Sequence, residues 1–406
     1  MYIGRAIESA FKKANEFFPA LLVNGPRQVG KTTFLRMIAE PERKFVSLDA
    51  MDIRNFAQSD PRLFLATYSP PVIIDEIQYA PELLNYIKVI IDETRFKSPE
   101  KARGMFWLTG SQHFVLMKGV TESLAGRIGI FDMLGLSNSE LNARENHPFL
   151  PSNEYVGTSD LDANAFFHRL WRGSYPELCT ASDDRWNNFY SSYLQTYLER
   201  DVRDLSQVGD MNNFYAFLRA VAARSGQLLN YSSLARDADV SSPTAKRYLS
   251  ILEASGLVKL LYPYMRNRNK QMISTPKLYM LDCGLMAYLT GWSNHEALAA
   301  GAMAGSFFET WCFGEILKSY YNANKSPAFF YYRDKDRREI DLLIEENGKL
   351  YPVEFKRSGT YKRSDIRAFA VLKQLDIPIG NGALVSLFPE SIQFRDDCKT
   401  IPATAL

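Results

Sequence analysis

The sequence predicts an α/β protein, and three stretches carry that prediction. Pro19–Val23 is an apolar run leading into Gly25-Pro26-Arg27-Gln28-Val29-Gly30-Lys31-Thr32, and Thr33–Ile38 behind it opens a helical pattern. Pro71–Ile74 is a second apolar run, and it ends in Asp75-Glu76. Residues 339–346 and 349–356 flank Asn347-Gly348, the strongest short signal for a β-hairpin. Strands that are apolar throughout, alternating with amphipathic helices, belong to a parallel sheet covered on both faces.

Taken in chain order, the predicted strands of the first region are 20–24, 44–48, 71–75, 105–109 and 128–132. Leu83, Leu84, Tyr86, Ile87, Ile90 and Ile91 have helical spacing and cover one face of that sheet. A polar stretch from Asn142 to Asp162, with Pro148 and Pro151, reads as a boundary or loop. Residues 166–204 are helical and aromatic. Phe214, Phe217, Leu218 and Val221 then form one helical stripe, and residues 231–238 a short second helix with Ser232 or Ser233 near its cap. Pro243 suits a first helical position, Gly256 closes that helix, and 257–262 is a strand. This is the order of a winged helix-turn-helix, with Thr244, Lys246 and Arg247 near the start of the recognition helix. From Arg224 to Lys270 the bases exceed the acids by five, against +2 for the whole chain. Such local charge suits DNA phosphates, and protein partners are the competing use of this module.

The first glycine-rich stretch fits G-x-x-x-x-G-K-[ST], between a strand and a helix, as a nucleotide-binding P-loop requires. Its backbone N–H groups and the helix N-terminus suit the phosphates of ATP. The expected binding residues are Gly25, Pro26, Arg27, Gln28, Val29, Gly30, Lys31, Thr32, Thr33 and Asp75. Lys31 reaches the β- and γ-phosphates, while Thr32 and Asp75 hold Mg²⁺. Glu76 orients or deprotonates the attacking water. The strand at 105–109 ends in Gly110-Ser111-Gln112, and Ser111 is the expected γ-phosphate sensor.

The hairpin carries a second set of polar groups. A two-residue turn pairs Glu346 with Lys349, Ile344 with Tyr351 and Leu342 with Val353, which sets Asp341 opposite Glu354. Counting by twos puts Glu339, Asp341, Glu354 and Lys356 on one face, with Ile340, Leu342, Ile344, Tyr351, Val353 and Phe355 on the other. Two facing carboxylates repel unless a cation lies between them. Asp341 and Glu354 are therefore candidate Mg²⁺ ligands, with Glu309 completing the set and Lys356 polarising a water or phosphate. A solvated charged face is the plainer reading of the same residues.

Composition narrows the class. The chain has 406 residues, 46% hydrophobic and 23% charged, enough for several globular domains. Cys179, Cys283, Cys312 and Cys398 are scattered without C-x-x-C spacing, which argues against structural zinc and for a reducing compartment. No run approaches the roughly 20 apolar residues that span a bilayer, and Glu8, Lys12 and Lys13 interrupt any leader. A soluble, cytoplasmic protein without a membrane partner is expected.

Together GPRQVGKT, VIIDEIQ and LTGSQ resemble the ATPase core of prokaryotic AAA+-like proteins with a C-terminal domain of unknown function. Leu124–Arg127, Gly173–Glu177, Tyr197–Val202 and Pro276–Tyr279 before Asp282 fit the same family. The resemblance implies an AAA+-like P-loop ATPase domain at 1–150, a helical lid or linker at 151–208, a winged helix-turn-helix at 209–275 and a PD-(D/E)XK nuclease-like domain at 276–406. It places Asp341, Glu354 and Lys356 on the D…E-x-K motif and Glu309 on the helical acid, so that Glu354 and Lys356 are catalytic. It also suggests a homo-oligomer in which Arg127 enters a neighbour's site as an arginine finger. The implied activity is Mg²⁺-dependent ATP hydrolysis acting on DNA. The alternative is an ATP-dependent switch or scaffold for protein partners, with an inactive nuclease fold.

Overall fold

The computed structural model describes residues 2–110, 123–152, 158–159, 161–197, 210–265, 271 and 274–406. They form two compact units. One is Met1–Leu136 with Ala254–Gly256 and Tyr321–Lys325; the other is Ser137–Glu253, Leu257–Tyr320 and Ser326–Leu406.

The first unit is built on five parallel strands: β1 (Ala20–Asn24), β2 (Lys44–Ser47), β3 (Val72–Asp75), β4 (Phe106–Gly110) and β5 (Ile128–Asp132). Their order is β2-β3-β4-β1-β5. Every residue of β1, β3 and β4 is buried, as the uninterrupted apolar runs demand. Leu22, Ile74, Phe106 and Leu108 pack in one core with Leu83, Leu84, Ile87 and Ile91 of helix α5 (Leu83–Lys97). On the other face, Phe11 of α1 (Glu8–Asn15) meets Phe34 of α2 (Lys31–Ile38), Trp107 and Phe131. Between β2 and β3 lie α3 (Met51–Ser59) and α4 (Pro61–Thr67), the latter capped by Asp60 with Pro61 in its first turn. All five strands end on one edge, and β4 lies between β1 and β3. That order brings the tip of β4 between the P-loop and Asp75.

In the second unit, Trp171 of α6 (Ala163–Arg172) and Trp186 of α7 (Trp186–Tyr197) stack at 4.5 Å. Asp282 ties this region together. Its carboxylate accepts from Ser174 N (2.7 Å), Ser174 Oγ (2.7 Å), Tyr190 Oη (2.8 Å) and Leu285 N (2.7 Å). A Cβ at Gly173 would stand 2.2 Å from the Tyr190 hydroxyl, so the close approach requires glycine there. Gly173 and Ser174 of the landmark at 173–177 thus meet Asp282 and Tyr190 in one knot.

Helices α8 (Met211–Ala222), α9 (Tyr231–Asp237) and α10 (Ser242–Ala254) follow, then β7 (Val258–Leu261). Asn230, rather than Ser232 or Ser233, caps α9, its side chain accepting Ser233 N at 2.9 Å. An antiparallel sheet of order β6-β8-β7 joins β7 to β6 (Gln227–Leu228) and β8 (Lys277–Met280). The division expected at 275/276 therefore falls between β8 and its own sheet.

Helix α11 (Cys283–Thr290), started by Asp282, and α12 (Ala304–Asn322) lead into a six-stranded mixed sheet. Its order is β13-β14-β12-β11-β10-β9, from β9 (Phe329–Arg333), β10 (Glu339–Glu346), β11 (Lys349–Lys356), β12 (Gly382–Ser386), β13 (Gln393–Arg395) and β14 (Cys398–Pro402). Asn347 (φ 51°) and Gly348 (φ 74°) make the predicted turn, and the pairings Glu346–Lys349, Ile344–Tyr351 and Leu342–Val353 are present. One step further the ladder stops. Asp341 accepts the Phe355 N–H through its side chain, at 3.0 Å. On the β9 side the register shifts between Ile340 and Leu343. That bulge reverses the expected alternation: Ile340 packs with Leu343 and Leu350, beneath Ile366, Phe369 and Leu372 of the crossover Arg363–Leu375. The face expected to be charged is thus apolar towards the turn, because this hairpin lies inside a covered sheet.

Candidate functional site

The P-loop closes β1 onto α2. Gly25 has φ 147°, and a Cβ there would come within 2.0 Å of the Met133 carbonyl oxygen. Gly30, at the cap of α2, has φ 91°. Gln28 is also left-handed, at φ 60°. Val29 and Lys31 are buried, Arg27, Gly30 and Thr32 half-buried, and Gln28 and Thr33 exposed. Lys31 Nζ donates to the carbonyls of Gly25 (2.9 Å) and Pro26 (2.8 Å), folding its charge over the loop. Arg5, which the motif gives no hint of, clamps the loop from below. Its guanidinium donates to Val29 O and Leu134 O, each at 2.8 Å.

Asp75, at the tip of β3, is the hub of this edge. Its Oδ1 accepts from Thr32 Oγ1 and from Thr109 Oγ1, each at 2.6 Å, and its Oδ2 accepts from Ser47 Oγ at 3.0 Å. Thr32 and Asp75, the residues expected to hold Mg²⁺, hold each other. Hard oxygen donors on adjacent strand and helix tips fit that ion. Glu76 has left-handed backbone (φ 58°, ψ 47°), a conformation concentrated at functional positions. Its N–H donates to Thr109 Oγ1 at 3.0 Å, and its carboxylate accepts from the buried Gln78 amide. Thr109, Ser47, Gln78 and Arg5 are the partners that sequence reasoning missed. Ser111, the expected sensor, lies outside the described residues, as do Arg266, Arg268 and Lys270 of the basic window.

Arg127 makes a two-pronged ion pair with Asp92 of α5 (2.7 and 3.0 Å), which lowers the Asp92 pKa. Arg127 immediately precedes β5, at the edge of the sheet opposite the P-loop. Lys246 and Arg247 of α10 are exposed, with Lys246 Nζ 5.3 Å from the Tyr231 ring centre, and Thr244 bonds Ser241. Arg224 pairs with Asp237, so its charge is spent within the segment.

The acids of the C-terminal region come together around a cation that sequence reasoning did not assign. Lys277 Nζ, on β8, lies 2.6 Å from Glu339 Oε1, 3.1 Å from Glu309 Oε1 and 3.4 Å from Asp341 Oδ1. Its side chain is only 3% exposed. Tyr279 Oη donates to Glu309 Oε1 at 2.6 Å, and Arg333 stands 3.4 Å from Glu339 Oε2. Lys356 donates to Glu354 Oε1 at 2.8 Å, while Glu354 Oε2 is buried with no hydrogen-bond partner among the described residues. Burial, then the charge of Asp341, pushes Glu354 up to about 8 and Glu309 up to about 7. Among the described residues no group of three or more His, Cys, Asp or Glu is arranged to hold a metal ion. The three acids facing Lys277 do not fit a divalent cation as they stand, because an ammonium already lies among them.

No helix among the described residues is long and apolar enough to cross a membrane. Residues 18–142 match the family described as an AAA domain, and residues 163–296 and 304–406 match two described as domains of unknown function (DUF8612 and DUF4143). The chain is 30% identical over 406 residues to Uncharacterized protein Rv2008c of Mycobacterium tuberculosis, covering 98% of this chain and 83% of that protein. Uncharacterized protein Mb2031c of Mycobacterium bovis matches with the same figures. Among solved structures, the Walker-type ATPase paby2304 of Pyrococcus abyssi is similar at 17% identity, over 70% of this chain and 94% of that one, with a TM-score of 0.42. The chain belongs to the family of these mycobacterial proteins, with an ATPase-like AAA domain ahead of two domains of unknown function.

Proposed function

We propose that this protein is a Mg²⁺-dependent ATPase whose hydrolysis drives a DNA-binding winged helix. The observation that carries the ATPase reading is the Asp75 carboxylate, held by hydroxyls of Thr32, Thr109 and Ser47 beside the Lys31 loop. The loop N–H groups and the start of α2 bind the phosphates, and Lys31 exchanges two carbonyls for phosphate oxygens. Thr32 and Asp75 would hold Mg²⁺, which offsets the negative charge of the phosphates. Glu76, positioned by Thr109 and Gln78, orients the attacking water and takes its proton. Turnover of ATP by the full chain tests this. Lys31→Ala and Glu76→Gln should each lose at least about a hundredfold, and full turnover by Lys31→Ala would sink the assignment.

The helix order α8-α9-α10 with the β6-β8-β7 sheet, and exposed Lys246 and Arg247, support DNA as the partner. Lys246→Glu should weaken DNA binding and flatten its salt dependence; unchanged binding points to a protein partner instead. A homo-oligomer using Arg127 as a finger requires that residue to leave Asp92, and the proposed function does not depend on it.

One observation favours a second reading of the C-terminal region. Lys277 among Glu309, Glu339 and Asp341 suits a nuclease-like fold retained as a scaffold. Mg²⁺- or Mn²⁺-dependent cutting of plasmid, linear or single-stranded DNA, lost in Asp341→Ala, would restore the nuclease reading.

A further inference from the structure

We propose that Lys277 is a built-in counter-cation, which occupies the acid cluster of α12 and β10 and excludes a divalent metal from it. Each of the three acids already has two partners: Glu309 Oε1 takes Lys277 and Tyr279, Asp341 takes Lys277 and the Phe355 N–H, and Glu339 takes Lys277 and Arg333. A metal bound by these oxygens would lie within a few ångströms of the ammonium, and two cations that close repel strongly with so little water to screen them. The Lys277 backbone is held in a strand paired on both sides, and its side chain is buried among these acids. The second observation is Glu354 Oε2, buried beside this cluster and without a partner among the described residues. It is the oxygen that a cation replacing Lys277 would find open, together with those of Glu309 and Asp341. The cluster is thus a latent cation site, closed by a residue of the neighbouring sheet.

The test counts Mn²⁺ bound by the full chain without nucleotide, from the electron paramagnetic resonance signal of the free ion. Wild type and Asp341→Asn should bind the same number. Lys277→Met should bind one more, and Lys277→Met/Asp341→Asn should return to the wild-type count. If Lys277→Met does not fold, Lys277→Met/Glu339→Gln, which removes one charge of each sign, replaces it in the comparison. A wild type that holds one Mn²⁺ more than Asp341→Asn overturns the proposal, as does a folded lysine variant that gains none. Any P-loop cation is common to all these proteins and cancels. Loss of ATP turnover in Lys31→Ala therefore bears on the ATPase reading alone.

Discussion

Thr109 Oγ1 donates to Asp75 Oδ1 at 2.6 Å and accepts the Glu76 N–H at 3.0 Å, so one hydroxyl on β4 fixes both acids of β3. The strand order makes this contact, since β4 is the neighbour that β3 shares with β1. Thr109→Val keeps the shape and removes the hydroxyl. ATP turnover should fall roughly 10- to 100-fold while KM changes little, since a positioning contact worth about 1.5–3 kcal/mol is lost. Thr109→Ser should restore most of the rate. Equal rates in the valine variant and wild type would remove Thr109 from the site.

Gly25 is confined by Met133. Adding a Cβ 2.0 Å from a carbonyl oxygen forces β1 and the segment after β5 apart. Gly25→Ala should lower affinity for an ATP analogue at least about tenfold, by displacing loop N–H groups aimed at phosphate. Wild-type affinity in a titration would show that the loop absorbs the strain.

Glu354 holds a proton in the folded chain at pH values where the unfolded chain has released it. Its pKa of about 8, raised by burial and by Asp341, exceeds the ordinary value of 4.5. The native state therefore binds more protons between these values, and stability falls as pH rises through that window. Glu354→Gln should flatten this slope, removing on the order of 1–3 kcal/mol of the stability change across the window. Denaturant midpoints from pH 5 to 9 check it; an unchanged slope would place the titration elsewhere.

The Asp282 knot makes a prediction about folding rather than chemistry. Tyr190→Phe removes one of four donors from a buried carboxylate. It should destabilise the chain by about 1–3 kcal/mol and leave ATP turnover unchanged. Chemical denaturation measures the first part and a steady-state assay the second.

What the sequence made legible was local. The P-loop, the five strands and the hairpin register all follow from short runs whose spacing is itself the signal: β1 is five apolar or buried residues, and Asn347-Gly348 fixes every pairing from Glu346 to Leu342. The illegible parts depend on contacts between distant segments. Thr109 reads in the sequence as one more strand residue, because only the sheet order brings it to Asp75. Arg5 reaches Val29 from 24 residues away. The bulge between Ile340 and Leu343 has no mark in the residues themselves, so counting by twos keeps Glu339 and Asp341 together but loses Ile340, which packs with Leu343. Lys277 stood inside a recognised landmark, but its partners are 32 to 64 residues further on.

The placement of β8 also bears on inheritance. Lys277 falls in the segment matching one domain of unknown function, whereas Glu309, Glu339 and Asp341 fall in the next. A gene fusion or truncation that joined the last segment to a different neighbour would transmit three inward-facing carboxylates and leave their ammonium behind. The two segments are therefore expected to travel through evolution as a pair, or to exchange only where the orphaned acids are lost or a metal ion takes over the missing charge.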